Sequence, residues 1–143
     1  MLNVLVTGGA GYIGSHCCKQ LYLQGHNPIT IDNLVYGHRE AVRWGDFYRG
    51  DIGNPDQLED CLEKYRIDAV MHFAAYAYVG ESVKVPMKYY TNNVFNSIQL
   101  LNCLVARRIR YFIFSSSCAT YGHPESTPID ESHRQKPISP YGK

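Results

Sequence analysis

Three glycines near the start of the chain have the spacing of a loop that binds a diphosphate. Gly8, Gly11 and Gly14 form the pattern G-x-x-G-x-x-G, between an apolar run and a helical pattern. In such a loop the first glycine permits a tight turn, the second lets the backbone approach the phosphates, and the third lets helix and strand pack closely. The phosphates then meet N–H groups at the positive end of a helix. The pattern predicts dinucleotide binding, and a purely structural glycine turn is the alternative.

Two carboxylates follow at the ends of later apolar runs. Asp32 is placed to accept hydrogen bonds from an adenosine ribose and to repel a 2′-phosphate, which favours NAD over NADP. An aspartate that caps a turn is the alternative. Arg39 in the next loop carries a charge that can neutralise a 2′-phosphate, so NADP stays an alternative cofactor. Asp51, followed by Ile52, is suited to the edge of an adenine ring or to a turn.

Composition excludes several classes of protein. The 143 residues, 45% hydrophobic and 19% charged, are typical of one globular domain and not of a disordered chain. A net charge of +1 argues against nucleic acid as a partner. No apolar run approaches the about 20 residues that span a bilayer, and no cationic leader is present, so neither a membrane partner nor a signal peptide is expected. The 5 cysteines lack C-x-x-C spacing, which predicts no disulfide framework, no metal site and a cytoplasmic location.

Short apolar runs alternate with longer helical patterns along the chain, as in βαβ units. The patterns predict strands over residues 2–7, 28–32, 47–50, 68–73 and 110–115, and helices over 12–24, 54–66 and 86–108. In the last helix, Val94, Ile98, Leu101 and Val105 form an apolar stripe. Residues 122–140 are predicted to be a surface loop. Connection rules then predict an α/β fold with a doubly wound, Rossmann-type parallel sheet of strand order 3-2-1-4-5.

Segments along the whole chain resemble the extended short-chain dehydrogenase/reductase family, in the family's order. They are residues 7–14, 32–34, 50–52, 72–75, 92–94, 115–117 and 139–143. Residues 33–42, 79–83 and 89–94 are similar to the nucleotide-sugar epimerases of that family. The resemblance implies an NAD-dependent isomerase acting on a UDP-sugar. Among the sugars, a hexose, a pentose and a uronate stay open, and a non-catalytic NAD-binding module is the alternative from another class.

The resemblance also implies site residues. Those expected to contact NAD are Gly8, Gly11, Tyr12, Ile13, Gly14, Asp32, Asn33, Leu34, Val35, Tyr36, Gly37, Asp51, Ile52, Phe73, Ala74, Ala75, Tyr76, Ala77, Asn92 and Tyr141. Ser117 is expected to bind the sugar 4-hydroxyl and Tyr141 to act as acid and base. A solvated serine and a loop aromatic are the alternatives, since the chain contains 12 tyrosines. His72 is expected to be a buried histidine with a local hydrogen bond.

The chain departs from the family pattern in two places. The family's Tyr-x-x-x-Lys motif would need a lysine at position 145, whereas the chain ends at Lys143, which helical geometry would turn away from Tyr141. Many members also carry a lysine after the fourth strand, where this chain has Tyr76, Ala77 and Tyr78. We therefore expect an incomplete NAD-binding domain, the N-terminal part of a protein that is a homodimer at full length. By itself the chain is expected to be inactive, with apolar surface exposed at strand five.

Overall fold

Five parallel strands form one sheet in the computed structural model, which describes residues 1–143. The strands are β1 (Asn3–Thr7), β2 (Asn27–Asp32), β3 (Asp46–Arg49), β4 (Ala69–His72) and β5 (Tyr111–Phe114). The helices are α1 (Tyr12–Leu23), α2 (Pro55–Tyr65), α3 (Val79–Lys84), α4 (Pro86–Tyr89) and α5 (Asn96–Ala106), with a π-helical segment (Tyr90–Phe95) and 3-10 turns at Arg39–Ala41 and Cys118–Tyr121. The order β3-β2-β1-β4-β5 confirms the predicted topology.

Helices cover both faces of the sheet because side chains alternate along each strand. In β1, Leu5 is fully buried on the face that packs against α2 and α5. Val4 and Val6 point to the other face, where Cys18 of α1 meets them. This two-sided burial explains why Val4, Leu5 and Val6 form a continuous apolar run.

The chain from 86 to 106 is helical throughout, but it is not the single α-helix that the sequence predicts over 86–108. The π-helical segment interrupts it between α4 and α5. The sequence pattern also misses α3, whose 6 residues are too few to show a helical period. Asn92 and Asn93 both lie in the π-helical segment, which sets the direction of their side chains relative to β4.

The predicted apolar stripe does not face the core. Val94, Ile98 and Val105 are exposed, and Val105 is 77% exposed. Leu100 and Leu104 are buried instead, with Leu100 fully so. The helix therefore has two apolar faces, and periodicity could not tell which one meets the sheet.

Strand β5 lies at the edge of the sheet with its apolar side chains exposed. Tyr111, Ile113 and Phe114 are 71%, 57% and 59% exposed. This confirms the expected apolar surface at strand five. The polar stretch at 122–140 forms no regular helix or strand, as predicted.

Candidate functional site

Two cavities open side by side at the carboxyl ends of the strands. The first has a volume of about 370 Å³ and lies among the loops that follow β1, β2, β3 and β4. The second, of about 320 Å³, lies beside the ends of β4 and β5 and the segment 139–143. Phe73, Ala74 and Ala75 line both cavities, so the two adjoin. Doubly wound sheets bind ligands at this edge, where the strand order reverses.

The three glycines of the first loop have different structural roles. Gly8 has a φ of +70°, and a Cβ there would lie 2.7 Å from the backbone N of Ala74. A Cβ on Gly14 would collide with the carbonyl of Gly8, so the close approach of α1 to β1 requires glycine there. Gly11 has an ordinary φ of −83°, and its Cβ would meet only the Gly8 oxygen, at 3.2 Å. Its missing side chain chiefly keeps the cavity open.

The first turn of α1 presents free N–H groups beside Gly11. The amides of Tyr12, Ile13 and Gly14 have no acceptor in the chain. No side chain caps this helix end, and its first turn holds no acidic residue. The positive end of a 12-residue helix therefore offers amide donors to an anion. The residues present fit a diphosphate.

Asp32 both caps the backbone and lines the first cavity. It is 9% exposed, and its Oδ2 accepts a hydrogen bond from the Ala10 amide at 3.1 Å. Its Oδ1 accepts one from the Leu34 amide at 2.8 Å. A carboxylate has about four lone-pair sites, so the two oxygens keep acceptor capacity toward the cavity. The turn-capping and ribose-binding interpretations of Asp32 are thus compatible.

Asp51 holds the neighbouring loop together in a similar way. Its Oδ1 accepts a hydrogen bond from the Gly53 amide at 2.8 Å, and its Oδ2 accepts one from Asn33 Nδ2 at 2.9 Å. The pair joins the loop after β2 to the loop after β3 across one wall of the cavity. The turn-forming role is therefore present, and Ile52 lies beside it in the cavity wall.

The first cavity gathers most of the residues that the resemblance assigns to the cofactor. Those lining it are Gly8, Gly11, Tyr12, Asp32, Asn33, Val35, Tyr36, Gly37, Asp51, Ile52, Phe73, Ala74, Ala75, Tyr76, Ala77 and Asn92. Ile13, Gly14 and Leu34 do not line it, and Tyr141 lines the second cavity. Ile31, Gly50 and Tyr78 also line the first cavity and were not assigned to it from the sequence, although Gly50 and Tyr78 lie in or beside segments compared with the family.

A cluster of three tyrosines that the sequence did not predict lies in the wall of the first cavity. The ring of Tyr36, after β2, lies 5.3 Å from the rings of both Tyr76 and Tyr78, after β4, in edge-on geometry. Lys88 Nζ lies 4.9 Å from the centroid of the Tyr76 ring and 2.8 Å from Glu81 Oε1. An ammonium group from α4 thus reaches the loop in which the family lysine is missing.

Ser117 and Tyr141 line the second cavity together. Ser117 Oγ caps the 3-10 turn at Cys118–Tyr121 by accepting a hydrogen bond from the Ala119 amide at 3.2 Å. The Tyr141 amide donates to Ser82 Oγ at 3.3 Å, and its ring lies 6.4 Å from that of buried Tyr89. Side chains far apart in sequence are thus brought to one cavity beside the glycine loop.

Lys143 lines the second cavity with Tyr141. The amides of Gly142 and Lys143 both donate to the Ser139 carbonyl, at 3.0 and 3.2 Å, which makes one helical turn over residues 139–143. The direction of the Lys143 side chain relative to Tyr141 stays a prediction. No hydrogen bond joins Lys143 to Tyr141.

His72 is a buried histidine with local hydrogen bonds, as predicted. It is 2% exposed, and Thr7 Oγ1 lies 2.6 Å from its Nδ1. Burial lowers the pKa of His72 from 6.5 to about 4, so the ring is neutral at physiological pH.

We expect this burial to make the chain less stable as the pH falls below 6.5. The unfolded chain binds a proton at His72 between pH 6.5 and about 4, whereas the folded chain does not. The free energy of unfolding therefore decreases in that window, and it is about 2 kcal/mol lower at about pH 5 than at about pH 7.5. Urea unfolding at the two pH values, compared with His72→Gln, isolates this contribution. Equal pH dependence in both proteins would contradict it.

None of the helices is both long and apolar enough to cross a lipid bilayer. No group of three or more His, Cys, Asp and Glu side chains is arranged to hold a metal ion.

Comparison with known proteins gives matches over nearly the whole chain. UDP-glucose 4-epimerase of Rhizobium meliloti (strain 1021) is 52% identical over 141 residues, covering 99% of this chain and 43% of the relative. A protein of Arabidopsis thaliana named putative UDP-arabinose 4-epimerase 4 is 44% identical over 151 residues, covering 99% of this chain and 35% of the relative. The crystal structure of UDP-glucose 4-epimerase from Brucella ovis in complex with NAD superposes with a TM-score of 0.95 at 56% identity. It matches 99% of this chain and 44% of its own.

The chain thus spans less than half the length of these relatives. The profile of the NAD dependent epimerase/dehydratase family matches residues 4–143. That match covers the glycine loop, both cavities and the segment that carries Tyr141. The chain belongs to the NAD dependent epimerase/dehydratase family.

Proposed function

We propose that this chain is the N-terminal, cofactor-binding part of a UDP-glucose 4-epimerase, which interconverts UDP-glucose and UDP-galactose with NAD. The observation that carries the proposal is the placement of Ser117 and Tyr141 in a cavity that adjoins the glycine-loop cavity. Family membership supports the same activity, as do similar proteins named UDP-glucose 4-epimerase.

The first cavity would hold NAD by its backbone and by Asp32. The free amides at the start of α1 suit the diphosphate, and the space above Gly11 admits it. The remaining acceptor capacity of Asp32 suits the hydroxyls of an adenosine ribose. Asn92 lines the same cavity. When bound, NAD supplies the acceptance and return of a hydride at sugar C4.

Tyr141 would move the proton of the sugar 4-hydroxyl, and Ser117 would orient that hydroxyl. Both side chains line the second cavity, where a sugar would meet the reactive end of the cofactor. A tyrosine ordinarily has a pKa near 10, so a base at neutral pH needs a nearby cation that favours the phenolate. In the family motif that cation is a lysine at the position corresponding to 145. We therefore propose little or no epimerase activity for these 143 residues by themselves.

The protein containing this chain is proposed to be a cytoplasmic homodimer. Five free cysteines suit a reducing compartment. The exposed apolar face of α5, with Ile98, Leu101 and Val105, suits burial against a second copy.

A second candidate is an epimerase that acts on a UDP-pentose, supported by the similarity to the Arabidopsis protein named a putative UDP-arabinose 4-epimerase. Turnover of purified full-length protein on UDP-glucose, UDP-galactose, UDP-pentoses and UDP-uronates separates the candidates. We expect conversion of UDP-glucose and UDP-galactose. Conversion of a UDP-pentose alone would replace the assignment, and NAD binding without turnover would favour a non-catalytic module.

We expect Asp32→Asn to weaken the preference for NAD over NADP by about tenfold. The amide removes the negative charge that repels a 2′-phosphate, while its oxygen still accepts one backbone hydrogen bond. Titration of both dinucleotides measures the preference. Asp46→Asn, an exposed position on β3 outside both cavities, is the matched control. An unchanged preference would mean that the Asp32 carboxylate is not at the ribose.

A further inference from the structure

A chain of hydrogen bonds runs beneath the first cavity, from the glycine-loop strand to the π-helical segment. The Ala74 amide donates to Thr7 Oγ1 at 3.2 Å, and Thr7 Oγ1 lies 2.6 Å from His72 Nδ1. On the other side of the ring, His72 Nε2 lies 2.8 Å from Ser97 Oγ. The Ser97 hydroxyl donates to the Asn93 carbonyl at 2.7 Å. Four elements of the fold thus meet around one imidazole ring.

The partners leave only one arrangement of protons. The Asn93 carbonyl can only accept, so the single proton of Ser97 Oγ is committed to it. Ser97 Oγ must then accept from His72, which puts the ring proton on Nε2. A neutral imidazole has one N–H, so Nδ1 accepts from the Thr7 hydroxyl. Thr7 oxygen in turn accepts from the Ala74 amide. The four donors, from the Ala74 amide to the Ser97 hydroxyl, therefore all point in one direction, toward the Asn93 carbonyl.

The ring has no nitrogen left for catalysis. His72 contributes to the wall of the second cavity, yet both nitrogens are engaged by Thr7 and Ser97. The ring is 2% exposed and neutral. A role in proton transfer to a substrate is therefore inconsistent with its contacts, whereas a role in holding its neighbours is consistent.

Asn93, where this series of hydrogen bonds ends, contacts two residues of the first cavity. Asn93 Oδ1 accepts a hydrogen bond from the Tyr76 amide at 2.8 Å, and Asn93 Nδ2 donates to the Tyr76 carbonyl at 2.9 Å. The same Oδ1 accepts from Asn92 Nδ2 at 2.8 Å. The Asn93 side chain thus fixes both the backbone of Tyr76 and the side chain of Asn92. At the other end of the series, Thr7 Oγ1 holds the Ala74 amide.

We infer that His72, protonated on Nε2, is a positioning residue that holds the Ala74–Tyr76 loop and, through Asn93, the side chain of Asn92 in the geometry that binds the cofactor. Its two nitrogens set the spacing between Thr7, at the start of the glycine loop, and Ser97, below the π-helical segment. Only a group that accepts on one side and donates on the other completes the chain. The part of this inference that concerns affinity for NAD rests on the proposed function.

The tautomer is tested first, by ¹⁵N NMR of the ring nitrogens of His72 in the full chain. We expect Nε2 to be protonated and Nδ1 unprotonated at neutral pH. A proton on Nδ1, or a mixture of the two tautomers, would overturn the inference. This measurement does not involve NAD, so its result is independent of the proposed function.

A matched pair of variants at Thr7 tests the positioning role. Thr7→Val preserves the volume and removes the hydroxyl, whereas Thr7→Ser preserves the hydroxyl. We expect hydrogen exchange of the Ala74 amide to be about tenfold faster in Thr7→Val and near the original rate in Thr7→Ser. Ser97→Ala is expected to speed exchange of the Tyr76 amide in the same way. Original exchange rates in Thr7→Val and Ser97→Ala would overturn the positioning role.

Titration with NAD measures whether these hydrogen bonds affect binding of the cofactor. We expect about tenfold weaker binding in Thr7→Val and Ser97→Ala, with affinity restored in Thr7→Ser. Unchanged affinity in all three, with faster exchange in the first two, would overturn the link to the cofactor. If the unaltered chain does not bind NAD but shows the expected tautomer and exchange, the proposed function fails while the hydrogen-bond chain stands.

Discussion

Gly11→Val is expected to weaken NAD binding by at least about 100-fold while leaving the fold intact. Gly11 lines the first cavity beside the free amides of α1. A valine side chain would occupy the space that a diphosphate needs. Each loss of about 1.4 kcal/mol in binding free energy lowers the affinity tenfold. The backbone at Gly11 has a φ of −83°, which any residue adopts. Its Cβ would meet only the Gly8 oxygen, at 3.2 Å, so a small shift accommodates it.

Titration with NAD and thermal unfolding measure the two parts of this expectation separately. Gly80→Val is the matched control, because a Cβ on Gly80 meets nothing within 4 Å and the residue lines neither cavity. Gly14→Ala gives the opposite pattern, since its Cβ would collide with the Gly8 carbonyl and lower the stability of the fold. Unchanged NAD affinity in Gly11→Val would show that the dinucleotide does not lie over the glycine loop.

Tyr141→Phe is expected to lower kcat about 1,000-fold in a full-length epimerase that carries this chain. Positioned acid–base groups contribute about 100-fold to 10,000-fold, and phenylalanine removes only the hydroxyl. The Tyr141 amide still donates to Ser82 Oγ, and the ring still packs near Tyr89, so the segment keeps its place. The affinity for NAD should change little, because the α1 amides and the Asp32 carboxylate proposed to hold most of the dinucleotide are unaltered.

Tyr121→Phe is the matched control for that experiment. Tyr121 is a partly buried tyrosine that lines neither cavity, and its ring packs against His133. We expect its kcat to match the unaltered protein. Steady-state turnover of UDP-galactose measures both variants. Equal kcat in Tyr141→Phe and the unaltered protein would remove Tyr141 from the acid–base role.

The fold was predictable because its signals are local. Continuous apolar runs predict strands buried on both faces, and right-handed crossovers leave few ways to order them. The order β3-β2-β1-β4-β5 follows from these rules. The start of α2 is also set by local contacts, since Asn54 Oδ1 accepts a hydrogen bond from the Gln57 amide at 3.3 Å and Pro55 begins the helix. The resemblance to nucleotide-sugar epimerases, drawn from short segments, is confirmed by the similar proteins.

Packing between elements was not predictable in the same way. The apolar period of the last helix marks two faces, and only contact with the sheet selects Leu100 and Leu104 for burial. That selection does not depend on nearby residues alone.

Residue types and spacing were sufficient to specify the class of the fold, the glycine loop, and the place of Asp32 at the end of a strand, whereas Ser117 and Tyr141 were indicated by the family resemblance. Those features are set by backbone sterics and by patterns within a few residues of one another. Only the tertiary structure decided three other features. They are the protonation of His72, the hydrogen bonds between Asn93 and Tyr76, and the ring contacts of Tyr36. Their partners lie on different strands and helices, and a hydrogen bond or ring contact forms only once the packed chain brings both groups within reach.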